Sequence, residues 1–189
     1  MGTLSESGLV LLSGINKDSN EKWIHDMEVK FSEYFNPTKL ITYEHWIDPT
    51  IKDLAFKKEQ QKLKDAVTSL TSVGRDAYIF AKSIGTVIST SLLMVQEIKP
   101  KACVFVGTPV GGMVDAQIDF KNALLAIDVP ILFIHKTHEK VGSFEEFSKL
   151  VKSTANPLME LREVPGEGHS YADIMDLEKI ALEFYKKFE

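Results

Sequence analysis

The sequence predicts an α/β protein: a three-layer α/β/α sandwich built on a mostly parallel six-stranded sheet. Two observations carry this. Short apolar runs of strand length alternate with amphipathic helical stretches along the whole chain, six of each, which is the signature of βαβ units with helices on both faces. The first run, residues 8–13, is almost continuously apolar, as expected of a strand buried on both faces. With 189 residues, 44% of them hydrophobic and 26% charged, the chain suffices for one domain with a substantial core. Residues 1–189 are read as one domain with no separate lid.

Taken in order, the first strand ends at Gly14, Ile15 and Asn16. Residues 18–20 offer several N-caps for a helix whose apolar face is Trp23, Ile24, Met27, Phe31 and Phe35. Pro37 breaks it. Residues 39–43 form a second strand, and residues 44–49 a polar-aromatic loop. A charged helix over 51–72 buries Leu63, Val67 and Leu70 and stops at Gly74. Residues 77–81 are the third strand. The next helix starts at Ile84 and closes before Pro100. Residues 101–106 make the fourth strand, followed by a loop through Gly107 and a short helix at 119–127. The fifth strand spans 129–135. The helix at 143–152 opens with a capping box, Ser143 and Glu146. Residues 158–164 alternate with charges, as an edge strand does. A turn at 165–169 leads into a last helix over 171–188.

Composition narrows the function classes. Net charge is −5 and there is no basic tract, so nucleic acid is not an expected partner. The one cysteine, Cys103, excludes an intrachain disulfide and lies in an apolar run, where it reads as a core residue. The N-terminus lacks a basic n-region, its apolar run is short for a signal peptide, and Glu6 occupies the last position of a myristoylation motif starting at Gly2. No stretch is long enough to span a membrane. A cytoplasmic location is the default expectation. His135 and His138 lack a matching carboxylate-histidine set, so no metal is expected. No cofactor is expected either.

The chemistry centres on residues 76–89. An apolar strand runs into a turn at Lys82, Ser83 and Ile84, and a helix starts at once. Ala81 and Gly85 flank Ser83 two places away on each side. This small-x-Ser-x-Gly pattern is a nucleophile elbow: strand and helix nearly touch, so both flanks must be small, and Ser83 Oγ is thrust out at the carboxyl edge of the sheet. On these residues the chain resembles the α/β-hydrolase family over nearly its whole length. It departs from the family pattern at Ala81, where Gly is usual. The resemblance implies a spatial strand order of 2-1-3-4-5-6.

In an open parallel sheet, functional groups gather at the carboxyl ends of the strands. Ser83 follows the third strand, Glu139 the fifth, and His169 the sixth, in the chain order Ser, acid, His that this fold uses. By resemblance, Glu139 stands where the family usually has Asp, and Gly168-His169 before a final helix is a family feature. Serine needs a base to act at neutral pH, and His169 is the candidate. Glu139 would hold the imidazole in one tautomer. Asp115 and Glu167 are rival acids. The backbone N–H groups of Ile84 and Ile15 are the candidate oxyanion donors, with Gly14 allowing close approach. Trp46, Thr108, Pro109 and Val110, with Gly14, are the candidate substrate-binding residues. Lys82 reads as a solvent-facing charge, with attraction of an anionic substrate as the alternative.

The expected function is a serine hydrolase acting on a small-molecule ester or thioester through an acyl-enzyme. A peptidase or amidase, an acyltransferase, and a non-catalytic binding module on the same fold are the alternatives. Dehalogenase chemistry is disfavoured, because it needs Asp where Ser83 stands. Monomer and homodimer remain open.

Overall fold

The structure is a computed structural model and describes residues 4–189. The reading of a signal at Gly2 lies outside the described residues. Six parallel strands are β1 (Gly8–Leu12), β2 (Thr38–Leu40), β3 (Ala77–Lys82), β4 (Ala102–Val106), β5 (Ile131–His138) and β6 (Met159–Glu167). Their spatial order is β2-β1-β3-β4-β5-β6, the order implied by the resemblance. Every residue of β1, β3 and β4 is buried, which is why those runs are apolar without alternation. The helices are α1 (Lys17–Phe31), α2 (Glu44–Ile47), α3 (Phe56–Thr71), α4 (Ile84–Leu93), α5 (Val110–Asp115), α6 (Phe120–Ala126), α7 (Phe144–Lys152) and α8 (Ile174–Tyr185).

Right-handed crossovers send α1 to one face of the sheet and α3, α4 and α7 to the other. Helix α8 returns to pack beside α1. Between α1, α8 and the sheet lies an aromatic cluster. Phe80 meets Trp23 at 6.1 Å and Phe31 at 5.0 Å between ring centroids, and Tyr78 meets Tyr185 at 5.1 Å. Each such ring buries a large apolar area, on the order of 150–250 Å². Side chains alternate along a strand, so Tyr78, Phe80 and then Lys82 all face α1.

Several boundaries differ from the sequence reading, each for a local reason. Helix α1 is capped by Asn16, whose side chain accepts the Ser19 N–H. Asn20 is buried one turn inside the helix instead of capping it. The helix ends at Phe31, and Phe35 packs inward from the following loop. Part of the polar-aromatic loop is the short helix α2, whose first N–H, from Glu44, is satisfied by the buried carboxylate of Glu59 at 2.7 Å. Helix α3 consequently starts at Phe56. Strands β5 and β6 run on to His138 and Glu167, with a register shift between Lys136 and His138. Pro165 is tolerated there because β6 is an edge strand. The segment between β4 and β5 holds two short helices, α5 and α6.

One contact sets the geometry of the sheet's centre. A Cβ on Gly85 would lie 2.7 Å from Leu12 Cβ and 3.1 Å from the Ser13 carbonyl oxygen. The Gly85 N–H already donates to that oxygen at 3.2 Å. Helix α4 therefore enters against the end of β1 with no space for a side chain. Gly85→Ala is expected to cost about 1–3 kcal/mol through overpacking against backbone. Urea unfolding monitored by circular dichroism measures this, and an unchanged midpoint would show that the two elements are not pressed together.

Candidate active site

The close approach at Gly85 forces a sharp turn between β3 and α4. Ser83 takes it with φ 52° and ψ −121°, a left-handed conformation that non-glycine residues adopt only under constraint. Its N–H donates to the Val106 carbonyl at 2.9 Å. Its side chain does not cap α4. Instead Ser83 Oγ lies 2.8 Å from His169 Nε2. The other imidazole nitrogen, Nδ1, lies 3.1 Å from Glu139 Oε1. An ionised carboxylate only accepts, so Nδ1 carries the proton and donates to Glu139. In the neutral ring Nε2 is then an acceptor for the serine hydroxyl.

The Glu139 side chain is fully buried and completely engaged. Tyr171 OH donates to Oε2 at 2.6 Å, and the Lys140 N–H donates to Oε1 at 2.9 Å. Burial pushes the Glu139 carboxyl pKa up. The hydrogen bonds from His169 and Tyr171, the attraction of the His169 charge and the Lys140 N–H together outweigh it and leave the pKa below the ordinary value. The same burial and the same carboxylate drive the Tyr171 hydroxyl far up, so it remains a donor.

The segment carrying His169 is fastened from several sides. Lys136 Nζ donates to the carbonyls of Glu167 and Ser170, and the Gly168 N–H donates to the His138 carbonyl at 3.0 Å. The Trp23 indole donates to the Tyr171 carbonyl. Beneath the imidazole, Gly107 has φ 58°, and a Cβ there would lie 2.9 Å from the Tyr171 ring and 3.1 Å from His169 Cε1. Only glycine permits both that φ and that approach.

A cavity of about 410 Å³ opens beside Ser83 and His169, with Gly14, Ile15, Asn20 and Lys82 on its wall. Ile84 opens α4, where the first N–H groups have no intrahelical acceptor. Trp46, Thr108, Pro109 and Val110 do not line this cavity. Trp46 is buried, and its indole donates to the Ile15 carbonyl at 2.9 Å, an oxygen also reached by His45 Nε2 at 2.8 Å. The structure thus makes Trp46 a strut beneath the Ile15 loop. Thr108 is buried with its hydroxyl unpaired. Of the rival acids, Asp115 is exposed at the end of α5, and Glu167 is exposed at the cavity mouth. The carboxylate that accepts from His169 Nδ1 is that of Glu139.

Lys82 departs most from expectation. It is 5% exposed, not solvent-facing. Its ammonium donates to Asn20 Oδ1 at 2.7 Å and sits 4.7 Å above the Trp23 ring. The signal was present in the sequence: two residues after Phe80, Lys82 shares its inward face. His135 is also buried. Its Nε2 lies 2.7 Å from the Gly142 carbonyl and its ring stacks on Phe147 at 4.5 Å. Among the described residues, no group of three or more His, Cys, Asp or Glu is placed to hold a metal ion. No helix there is long and apolar enough to cross a membrane.

No family model and no curated protein matches this sequence. Solved structures do match its fold. Est1E from Butyrivibrio proteoclasticus, in a structure with ferulic acid bound, superposes with a TM-score of 0.74 at 14% identity, covering 96% of this chain and 89% of that one. An alpha-beta serine hydrolase homologue from Coxiella burnetii gives 0.74 at 14% identity, over 97% and 86%. A Bacillus cereus protein described as uncharacterized gives 0.72 at 14% identity. All of this chain is covered there, but it spans only 61% of that protein's length. The fold is therefore that of the α/β hydrolases.

Removing the Tyr171 hydroxyl tests the balance at Glu139. Tyr171→Phe deletes a donor to a carboxylate, so the Glu139 pKa is expected to rise. A carboxyl whose folded pKa is depressed contributes stability above its unfolded pKa and loses it as pH falls through the folded pKa. The variant's deficit is therefore expected to be about 1.5–3 kcal/mol at pH 7 and smaller in acid. Urea unfolding at a series of pH values measures it, and a deficit independent of pH would contradict the assignment.

Proposed function

We propose that the protein is a serine hydrolase that cleaves small esters or thioesters through an acyl-enzyme on Ser83. The observation that carries this reading is the continuous hydrogen-bonded line Ser83–His169–Glu139 at the carboxyl edge of the sheet. Ser83 Oγ attacks the acyl carbon while its proton passes to His169 Nε2. The carbonyl π electrons move onto oxygen, where the N–H groups of Ile84 and Ile15 would receive the charge. The tetrahedral species collapses, the bond to the leaving oxygen or sulfur breaks, and His169 returns the proton to that atom. Water then attacks the acyl-enzyme, giving one proton to His169. Collapse frees the carboxylic acid, and the proton goes back to Ser83. Throughout, Glu139 holds Nδ1–H and balances the imidazolium charge.

Two further points support the reading. The names of structural neighbours, a serine hydrolase homologue among them, accord with it. A binding module would gain nothing from a non-glycine residue held at φ 52°, whereas an elbow needs that conformation to present its hydroxyl.

A fluorophosphonate probe is expected to label Ser83 alone, read by mass spectrometry of the digested protein, and Ser83→Ala to abolish labelling. Label on another serine, or none, would overturn the proposal. Glu139→Gln is expected to lower kcat by roughly two to four powers of ten, whereas Asp115→Asn leaves it near the wild-type value. The reverse result would move the acid to Asp115. Short-chain esters are expected to react faster than long-chain ones below micelle formation, because the cavity is only about 410 Å³. Faster turnover of long chains would contradict that.

A further inference from the structure

Lys82 is a charged group that the catalytic cycle above leaves unused. It immediately precedes Ser83, lines the same cavity and is almost wholly buried. Removing an ammonium from water costs several kcal/mol unless partners replace its hydration. Here the partners are neutral: the Asn20 amide oxygen at 2.7 Å and the face of the Trp23 ring at 4.7 Å. No carboxylate among the described residues makes an ion pair with it. Glu139 acts on it only through the field, and that carboxylate is already committed to His169, Tyr171 and Lys140. An ammonium has three donors, and Asn20 takes one.

The surroundings hold Lys82 in place. Asn20 Nδ2 donates to the Asn16 carbonyl at 2.6 Å and to Ser19 Oγ at 3.0 Å, so its oxygen is the atom turned to Lys82. Gly14 is tight against Asn20: a Cβ there would lie 2.8 Å from Asn20 Oδ1. The loop proposed to carry an oxyanion donor and the seat of the ammonium are thus one packed unit. Burial lowers the Lys82 pKa to about 8, with the field of Glu139 opposing and that of Lys136 adding. The group remains mostly protonated at neutral pH.

We infer that Lys82 is the specificity residue of this site, and that the substrate is an ester or thioester whose acyl part carries a carboxylate that binds the Lys82 ammonium. The inference rests on the proposed hydrolase reading and names its substrate class. A single negative charge fits. Lys82 supplies one positive charge on the wall, Lys136 is spent on two carbonyls, and the exposed Lys140 and Glu167 on the same lining add one charge of each sign. A carboxylate would gain a charge-assisted hydrogen bond in a partly dry site, and a neutral chain end would leave the ammonium unpaired.

The test compares three methylumbelliferyl esters of equal length, ending in a carboxylate (the half ester of adipic acid), a primary amide and an ammonium. Wild-type kcat/KM at pH 7 is expected to favour the carboxylate over the amide by about tenfold or more, as a hydrogen bond to a charged group implies, with the ammonium ester poorest. In Lys82→Met the carboxylate-to-amide ratio is expected to collapse towards one. A purely structural lysine would lower both rates together and leave the ratio intact, which would overturn the inference. If that variant fails to fold, the wild-type ratio decides alone. It should fall between pH 7 and pH 9 as Lys82 loses its proton, while the part played by His169 in the chemical step is common to all three substrates and drops out of the ratio. Glu139, Lys136, Lys140 and Glu167 are the other charged groups around Lys82 and the cavity. A ratio near one at pH 7, or one that does not fall, sinks the inference. Adipate binding, followed by Trp23 fluorescence under the ammonium, gives a readout independent of turnover. Absence of binding rejects the inference. Binding without esterase activity or phosphonate labelling rejects the hydrolase reading instead.

Discussion

The close approach of α4 to the end of β1 governs everything at the carboxyl edge. With no side chain at Gly85, the helix lies against Leu12 and Ser13, and the chain has only one residue in which to turn from β3 into it. That residue, Ser83, is driven into a left-handed conformation costing on the order of 1–3 kcal/mol. The surrounding core must supply that energy. It does so through fully buried central strands and the aromatic cluster of Phe80, Phe31, Tyr78 and Tyr185. The strain has a consequence for chemistry: the hydroxyl points away from the helix it would otherwise cap and towards His169.

A second balance sits at Glu139. Burial alone would push the pKa of this carboxyl up. Four hydrogen-bond and charge contributions reverse the effect, and a tyrosine supplies one of them from the same segment as the histidine. The position of His169 is fixed by the same elements, since Tyr171, Gly107 and Lys136 all bear on one short stretch. Glu139, His169 and their support therefore form one packed unit between the ends of β4, β5 and β6. The contrast with Lys82 is informative: its charge is buried too, yet its partners are neutral and its pKa falls to about 8. One buried ion is internally balanced, and the other faces a cavity.

The parallel sheet was legible because its central strands are fully buried and the helices amphipathic, whereas the strand order was implied only by the resemblance to the α/β-hydrolase family. Ser83, Glu139 and His169 could be singled out because the elbow pattern and the strand ends mark them, and the structure brings the three within hydrogen-bonding distance. What the sequence hid were side chains whose environment depends on tertiary contacts. Residue type alone points Lys82 to solvent, whereas its register with Phe80 places it inward. Asn20 looked like a cap because Asn favours caps, but it lies on the buried stripe of α1 with Ile24, Met27 and Phe31. Trp46 sat in an apparent loop, and only the folded chain shows it beneath Ile15. Tyr171 reached Glu139 across 32 residues, a distance no local pattern encodes.

The central claim is that the hydrogen-bonded line at Ser83 performs covalent catalysis. The most direct measurement is a rapid-mixing experiment with an activated ester, following leaving-group release and quenching in acid for intact-protein and peptide mass. The account predicts a burst of leaving group equal to the enzyme concentration, with the acyl mass on the peptide that holds Ser83, decaying at the steady-state rate. Release of leaving group at a linear rate, with no acyl mass on Ser83 under conditions where acylation is faster than hydrolysis, would contradict it.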